Sequence, residues 1–339
     1  MTGERVTGLR ATTGAGVRAL VTGLGGELGT RVALLLEARP EVEAVSGLDI
    51  EPPRRYLERT DFHRVDPRDR ARNVAIVREF EPTVVVHVGT YEPNARCSPK
   101  AAVERTEAGA IGVLGAAAEC PSLERIVLRS GIEVYGRGRG AATRPDESVP
   151  PEPTTPFGHS LLHAERVAGV AGDVADVPVT ALRLAPVMGP HFPSPLGRYL
   201  RLPAVPVSAT SDLPFSLLHQ EDAAEAIVAA VFAGHDGPVN VVGDGAITAS
   251  QAARFGGRLP VPIAGPAWWA ARVLAEVAGS PVPDHVRELL VRGRTADGGR
   301  AGSVLGVHPR WDTIDVVKDL FQWAGVTYVT FGDAAEEVA

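Results

Sequence analysis

Short apolar runs alternate with amphipathic segments over most of the chain. In the segments between runs, apolar residues recur with helical spacing, as at Leu28, Val32 and Leu35. Alternating strands and helices of this length predict βαβ units, and therefore an α/β fold with a doubly wound parallel sheet. The predicted strands are Val17–Thr22, Ala44–Asp49, Phe62–Asp66, Thr83–Thr90, Arg125–Gly131 and Val179–Val187, and the predicted helices include Ala101–Cys120, Leu161–Val174 and Glu221–Phe232.

The regular alternation breaks at proline-rich segments and at both ends of the chain, which predicts a small, mostly helical lobe beside the sheet domain. Residues 136–156 are rich in glycine, arginine and proline and are predicted to form a loop. The expected division is a flexible arm at 1–16, the sheet domain at 17–190 and 215–250, the small lobe at 191–214 and 251–325, and a tail at 330–339.

The composition narrows the possible partners. The chain has 34 Lys and Arg against 41 Asp and Glu, a net charge of −7 without a basic stripe, which argues against nucleic acid. No apolar run is long enough to span a bilayer, and no signal-peptide pattern is visible, so we expect a cytoplasmic protein with no membrane partner. The two cysteines, Cys97 and Cys120, suit neither a disulfide framework nor a metal site.

A glycine motif follows the first predicted strand and opens a helix. Gly23 permits a tight turn, Gly26 lets the backbone approach a pyrophosphate, and Gly29 permits close helix–strand packing. Asp49 ends the next strand at the spacing expected for a carboxylate that accepts from ribose hydroxyls, and Asp66 is placed to meet the adenine amino group. The residues expected to bind the cofactor are Gly23, Gly26, Leu28, Gly29, Asp49, Ile50, Asp66, Pro67, Gly89 and Pro186.

The choice between NADH and NADPH stays open at this point. Asp49 repels a 2′-phosphate and so favours NADH. Arg54 and Arg55 follow it closely and are able to clasp such a phosphate, although two solvated surface arginines would look the same.

Further motifs resemble the extended short-chain dehydrogenase/reductase family, the nucleotide-sugar epimerase and dehydratase group. The resemblance covers about residues 17–325. It implies an extended Rossmann fold, in which the domain at 17–190 and 215–250 binds the dinucleotide and the small, mostly helical lobe binds the substrate. It rests on TGxxGxxG at 22–29, VVHVGT at 85–90, SGIEVYG at 130–136, RLAPVMGP at 183–190, LLHQED at 217–222, NVVG at 240–243 and LGVHP at 305–309.

The resemblance implies a catalytic Tyr with a Lys four residues later, and this chain lacks both. Phe157 holds the tyrosine position and Leu161 the lysine position, while Gly131 holds the position of the helper Ser or Thr. Only two lysines exist, and none of the five tyrosines has one at the fourth position after it. Neither replacement can transfer a proton.

One hypothesis is an NAD(P)H-dependent ketoreductase that obtains its proton elsewhere. A substrate phenol next to the ketone is one source, and Ser130 or His159 is another. The loss of the pair resembles atypical ketoreductases that tailor angucyclinone-like aromatic polyketide antibiotics, which implies an aromatic ketone as substrate. The residues expected around it are Glu133, Tyr135, Phe157, His159, Met188 and Phe192.

Two other hypotheses remain. The protein is either a non-catalytic dinucleotide-binding sensor or scaffold, or an enzyme similar to the nucleotide-sugar epimerases. The epimerase chemistry needs a base, which the lost tyrosine would have supplied. An apolar cavity beside the nicotinamide would favour the reductase over the sensor. The oligomeric state is left open by the sequence.

Overall fold

The computed structural model describes residues 16–94, 97–189, 192–265, 267–270, 273 and 281–322. The predicted arm, apart from Gly16, and the predicted tail lie outside these residues. Parts of the predicted lobe near residues 271–280 and 323–325 also lie outside them.

A seven-stranded parallel sheet forms the centre of the fold, as the sequence pattern predicts. Its strand order is β10-β6-β5-β4-β1-β2-β3. Successive strands are added on one side of β1 up to β3 and on its other side from β4 onward, so the strand order reverses between β1 and β4, which are themselves parallel. Ligands of such sheets bind at the carboxyl edge near this reversal. The strands are β1 (Val17–Thr22), β2 (Val42–Asp49), β3 (Thr60–Arg64), β4 (Val84–His87), β5 (Arg125–Gly131), β6 (Val179–Leu184) and β10 (Gly237–Val241).

Helices cover both faces of the sheet. Side chains of β1 alternate between them: Ala19 and Val21 pack in one core and Leu20 in the other. The helices of this domain are α1 (Glu27–Glu37), α2 (Arg70–Phe80), α3 (Pro99–Ala117), α4 (Pro156–Ala175) and α6 (Gln220–Ala233), with a 3₁₀ turn at Ile132–Tyr135.

A third core lies beyond β6, and the elements around it form the smaller part of the molecule, called the lobe below. It joins fully buried residues such as Tyr199, Phe215 and Leu200. The elements around it are β7 (Val187–Met188), α5 (Pro195–Leu200), β8 (Ala204–Ser208), β9 (Leu218–His219), α7 (Ala249–Phe255), β11 (Leu259–Ile263), α8 (Asp284–Arg292) and α10 (Thr313–Phe321). Helix α9 (Gly299–Leu305) instead packs on the sheet domain through Ala301 and Leu305.

Several element ends differ from the prediction for local reasons. Helix α4 begins at Pro156 because the Thr155 side chain accepts from the Gly158 amide, which caps the helix five residues before the predicted start. Strand β3 ends at Arg64, before the predicted Asp66. The predicted Val179–Val187 strand is two strands, interrupted at Ala185 and at Pro186, which has no backbone donor.

No helix in the described ranges has both the length and the apolar character needed to cross a membrane.

Candidate functional site

The glycine-rich turn joins β1 to α1 at the carboxyl edge of the sheet. Gly23 has a φ of +72°, and a Cβ there would lie 2.8 Å from the Cα of Gly89 on the neighbouring β4 loop. A Cβ at Gly29 would overlap the carbonyl oxygen of Gly23. Both positions therefore require glycine because the helix, the turn and the β4 loop are in direct backbone contact.

The start of α1 is open where a phosphate would approach. Gly26 is the N-cap, and no side chain caps the helix. A Cβ at Gly26 would have one neighbour within 4 Å, the Gly23 oxygen at 3.3 Å, so the backbone is approachable there. Free amides at a helix N-terminus bind pyrophosphate, and the turn therefore fits the diphosphate of a dinucleotide.

A buried carboxylate in the first turn of α1 forms ion pairs with two arginines. Glu27 accepts from Arg31 Nε at 2.9 Å and from Arg55 Nη2 at 3.3 Å. Arg55 is thereby engaged with Glu27. Arg54 lies at the rim of the glycine turn, where its Nε donates to the carbonyl oxygen of Gly25 at 3.2 Å.

Asp49 connects the end of β2 to the glycine turn. Its Oδ2 accepts from the Gly25 amide at 2.9 Å and its Oδ1 from the Ile50 amide at 2.6 Å. Burial raises the pKa of Asp49, against the lowering effect of these hydrogen bonds. Asp49 also lines a cavity of about 290 Å³ beside the sheet reversal. Other residues around this cavity are Gly23, Val65, Pro67, His87, Gly89 and Tyr91.

The structure separates Asp66 and Leu28 from this cavity. Asp66 accepts from Arg68 Nη2 at 2.7 Å, and the hydrogen bond to Arg68 lowers the pKa of Asp66 to about 2. Its chain neighbours Val65 and Pro67 line the cavity instead. The Leu28 side chain is buried in a core on one face of the sheet.

A second cavity, open to solvent, lies where α4 of the sheet domain meets α8 of the lobe, and its space together with its opening amounts to about 530 Å³. Phe157 and Leu161, one turn apart on α4, both line it with buried side chains. The two residues predicted to stand at the positions of the family's Tyr/Lys pair thus face one common space. Further apolar lining comes from Leu184, Pro186, Val187, Phe192, Leu196, Val286 and Leu289.

The glycine at the helper position makes room for a carboxylate. A Cβ at Gly131 would overlap Oε2 of Glu133. The other oxygen, Oε1, accepts from Arg294 Nη1 at 3.0 Å, and Arg294 is also bound to Glu288 at 2.6 Å. Glu133 thus occupies the space beside Gly131 and is held by a buried ion-pair network.

A histidine from the lobe lies against Phe157. The ring of His285 is 4.6 Å from the Phe157 ring, centroid to centroid, with 37° between the planes. Its Nε2 is 2.8 Å from Oε1 of Glu92, which follows β4. His285, Glu92 and Arg129 all line the same cavity.

Arg129 is a cation at the end of β5. Burial lowers its pKa, while the charges of Glu92 and Glu133 oppose that shift. Its Nη1 donates weakly to the Thr90 carbonyl oxygen at 3.4 Å. Among the described residues, no carboxylate is within ion-pair distance of Arg129.

Other expected site residues have different surroundings. Ser130 lines the second cavity, and its hydroxyl donates to Glu165 at 2.5 Å. The Tyr135 hydroxyl donates to Asn240 at 2.8 Å. His159 is exposed on α4, and Met188 is buried in the third core. None of the side chains of Tyr135, His159 and Met188 lines the second cavity, whereas Glu133, Phe157 and Phe192 do.

The sequence reasoning missed Glu92, Arg129 and His285. Arg129 carried a signal, because an arginine inside the otherwise apolar run Arg125–Gly131 is out of place in a buried strand. Glu92 carried a weaker one, since it follows a strand at the ligand-binding edge. His285 carried none, because it lies 128 positions after Phe157 in the chain (285 − 157).

Comparison with known proteins identifies the family. Residues 19–243 match the NAD dependent epimerase/dehydratase family. An uncharacterized protein of Mycobacterium tuberculosis strain H37Rv is 32% identical over 323 residues, which cover 91% of this chain and 84% of that protein. An uncharacterized protein of Mycobacterium bovis matches equally well.

Solved structures share the fold. The UDP-glucose 4-epimerase of Thermotoga maritima, solved with UDP-glucose, has a TM-score of 0.69 at 19% identity and covers 90% of this chain and 97% of its own. MoeE5 in complex with UDP-glucuronic acid and NAD has a TM-score of 0.69 at 22% identity, over 90% and 98% of the chains. The chain belongs to the NAD dependent epimerase/dehydratase family, with the extended short-chain dehydrogenase/reductase fold.

Proposed function

We propose that this protein is an NAD(P)H-dependent ketoreductase that acts on a flat aromatic ketone, of the kind found in angucyclinone-like polyketide antibiotic intermediates. The observation that carries the proposal is the second cavity. It is lined mainly by apolar side chains, and Phe157 and Leu161 replace the Tyr/Lys pair there. An apolar cavity with a few polar groups suits a planar aromatic molecule.

The residues of the glycine turn fit a nicotinamide dinucleotide. The open start of α1 would hold the diphosphate, and Asp49 would accept from the adenosine ribose. A carboxylate accepts hydrogen bonds from the ribose hydroxyls of NADH, whereas it repels the 2′-phosphate of NADPH. We therefore propose NADH as the preferred cofactor. The chemistry that a reduced nicotinamide supplies when bound is hydride transfer to a carbonyl carbon.

Arg129 is the group proposed to orient the substrate. The guanidinium group of Arg129 has one weak acceptor, the Thr90 carbonyl oxygen, among the described residues. A phenolate or carbonyl oxygen on an aromatic ring would supply a stronger one in this mainly apolar cavity. The proton for the nascent alcohol must come from a group other than Phe157. The candidates are a phenol beside the ketone and a titratable side chain of the cavity.

A nucleotide-sugar substrate is the second candidate. It is supported by the UDP-sugars bound to the structural neighbours MoeE5 and the Thermotoga epimerase. The charges around the second cavity favour the aromatic ketone instead. Glu92 and Glu133 outnumber Arg129 there, and Arg294 is committed to Glu133 and Glu288, so a diphosphate would find no excess of positive charge.

The test is oxidation of NADH or NADPH, followed by absorbance. The substrates are aromatic ketones with a neighbouring phenol, the same ketones with that phenol methylated, and UDP-sugars with NAD. Turnover of the ketones supports the proposal. Conversion of a UDP-sugar alone would overturn it in favour of the second candidate. Cofactor binding without any turnover would indicate the non-catalytic sensor.

A further inference from the structure

We propose that His285, held by Glu92, donates the proton that the family's tyrosine would otherwise give. This inference rests on the proposed reductase function. It assigns a proton donor to the lobe rather than to α4. Three observations carry it: the position of the imidazole, its hydrogen bond to Glu92, and the burial of the imidazole.

The position of the imidazole is set by packing. His285 lies in the first turn of α8, and its ring packs at a tilt on Phe157 with 4.6 Å between centroids. Phe157 stands at the predicted tyrosine position of α4, so the imidazole lies against the place of the family's phenol ring. Both rings line the same cavity, in which a ketone would have to bind.

Glu92 orients the imidazole. Its carboxylate lies 2.8 Å from Nε2, and the side chain of His285 is 5% exposed. With Nε2–H donated to the carboxylate, Nδ1 is the nitrogen left for proton transfer. Among the described residues, Nδ1 has no hydrogen-bond partner. A carboxylate that orients a histidine and stabilises its cation is a recurrent arrangement for general acids and bases.

The chemical balance is simple. A reduced dinucleotide bound at the glycine turn would supply the hydride and would itself be oxidised, so that the ketone becomes a secondary alcohol. The π electrons of the carbonyl group move to oxygen, and an O–H bond forms as the Nδ1–H bond of the imidazolium breaks. The neutral imidazole then regains a proton from water, while Glu92 keeps its hydrogen bond to Nε2.

Three variants separate this role from a structural one. His285→Gln keeps an N–H for Glu92 but cannot act as an acid at its position, and His285→Ala removes the ring. His63→Ala is the matched control, because His63 lies on the edge strand β3, away from both cavities. The assay substrate is the phenol-methylated ketone, which has no proton of its own to give.

We expect His285→Gln and His285→Ala to lose at least about 100-fold in kcat, the usual contribution of a general acid. Added imidazole should restore part of the activity of His285→Ala, while His63→Ala should match the wild type. NADH binding, measured by fluorescence quenching, should change by less than about twofold in all three variants, because His285 does not line the dinucleotide turn.

The protein alone provides a readout that needs no turnover. In ¹⁵N-resolved NMR spectra of the histidine side chains, the Nε2–H proton of His285 should be protected from exchange by Glu92. The Glu92→Gln variant should lose that protection. It should also lose kcat, to a smaller extent than His285→Gln, since Glu92 is a positioning residue.

Turnover of the methylated ketone that survives His285→Gln overturns this inference and leaves the reductase function standing. Turnover by the wild type of the free phenol alone, with none of the methylated ketone, also overturns it, because the substrate is then the acid. Absence of turnover by the wild type on every ketone overturns the proposed function itself, and this inference with it.

Discussion

The imidazole of His285 packs on the ring of Phe157 at 4.6 Å between centroids, across the boundary between the lobe and the sheet domain. Phe157 belongs to α4 and His285 to α8, so the contact joins two elements that are far apart in the chain. An imidazole ring from the lobe therefore lies beside Phe157, the residue that we predict to stand at the position of the family's catalytic tyrosine.

A serine at position 131 should be harmful for a reason specific to this chain. A Cβ there would overlap the Glu133 carboxylate, so Gly131→Ser should lower the free energy of unfolding by about 1–3 kcal/mol through overpacking. In the Glu133→Ala background the same substitution should cost less than about 1 kcal/mol. Urea unfolding of the four proteins measures this coupling, and equal losses in both backgrounds would contradict it.

Arg129 should contribute to binding at the expense of stability. It is a cation without an ion-pair partner in the described part of the chain, so Arg129→Met should leave the free energy of unfolding unchanged or raise it by about 1–2 kcal/mol. The same variant should weaken substrate binding at least tenfold, as seen in KM. A clearly destabilised variant with an unchanged KM would show that Arg129 is structural. Arg125→Met, on the same strand, is the comparison for a general effect of losing a guanidinium group.

The cofactor preference should depend on Asp49. We expect the wild type to bind NADH more tightly than NADPH, because the carboxylate repels a 2′-phosphate. Asp49→Asn should weaken NADH binding about tenfold and reduce the difference in affinity between NADH and NADPH. Arg54→Ala, at the rim of the same turn, should leave NADH binding unchanged. Fluorescence titration measures all of these, and tighter NADPH binding by the wild type would contradict the assignment.

His87 should make the protein less stable in mild acid. Burial lowers the pKa of His87 to about 4, from an ordinary value near 6.5. The unfolded chain therefore binds a proton before the folded chain does, and stability is lost as the pH falls from about 6.5 to about 4. Between pH 7 and pH 5 this loss is about 2 kcal/mol.

The check is a comparison of His87→Asn with the wild type at both pH values. The variant should be less stable at pH 7, because His87 Nδ1 bonds the Thr22 hydroxyl at 2.9 Å. Its loss of stability between pH 7 and pH 5 should be smaller than that of the wild type by about 2 kcal/mol. An equal pH dependence in the two proteins would mean that another group is responsible.

The fold was predictable because the local pattern determines it. Apolar strands alternate with helices, and the turn at Gly23 and Gly29 leaves no room for side chains, so these glycines are visible as a motif. The replacement of the Tyr/Lys pair by Phe157 and Leu161 stays a prediction from residue identity at fixed spacing, and the structure adds that both side chains line one cavity.

The proton-transfer group was not predictable in the same way. His285 reaches Phe157 only through the packing of the lobe on the sheet domain, and no short-range pattern encodes that contact. Ser130 was a candidate donor by its position in a motif, and this stays a prediction. Ser130 lines the second cavity, and its hydroxyl donates to Glu165 at 2.5 Å.

The most direct test of the account is transfer of label from the cofactor to a ketone. The protein is incubated with an aromatic ketone and NADH carrying deuterium at both C4 positions of the nicotinamide, and the product is analysed by mass spectrometry and NMR. We predict an alcohol with one deuterium on the carbinol carbon in a single stereochemical configuration. Recovery of the unlabelled ketone, under conditions where cofactor binding is demonstrated, would contradict the account.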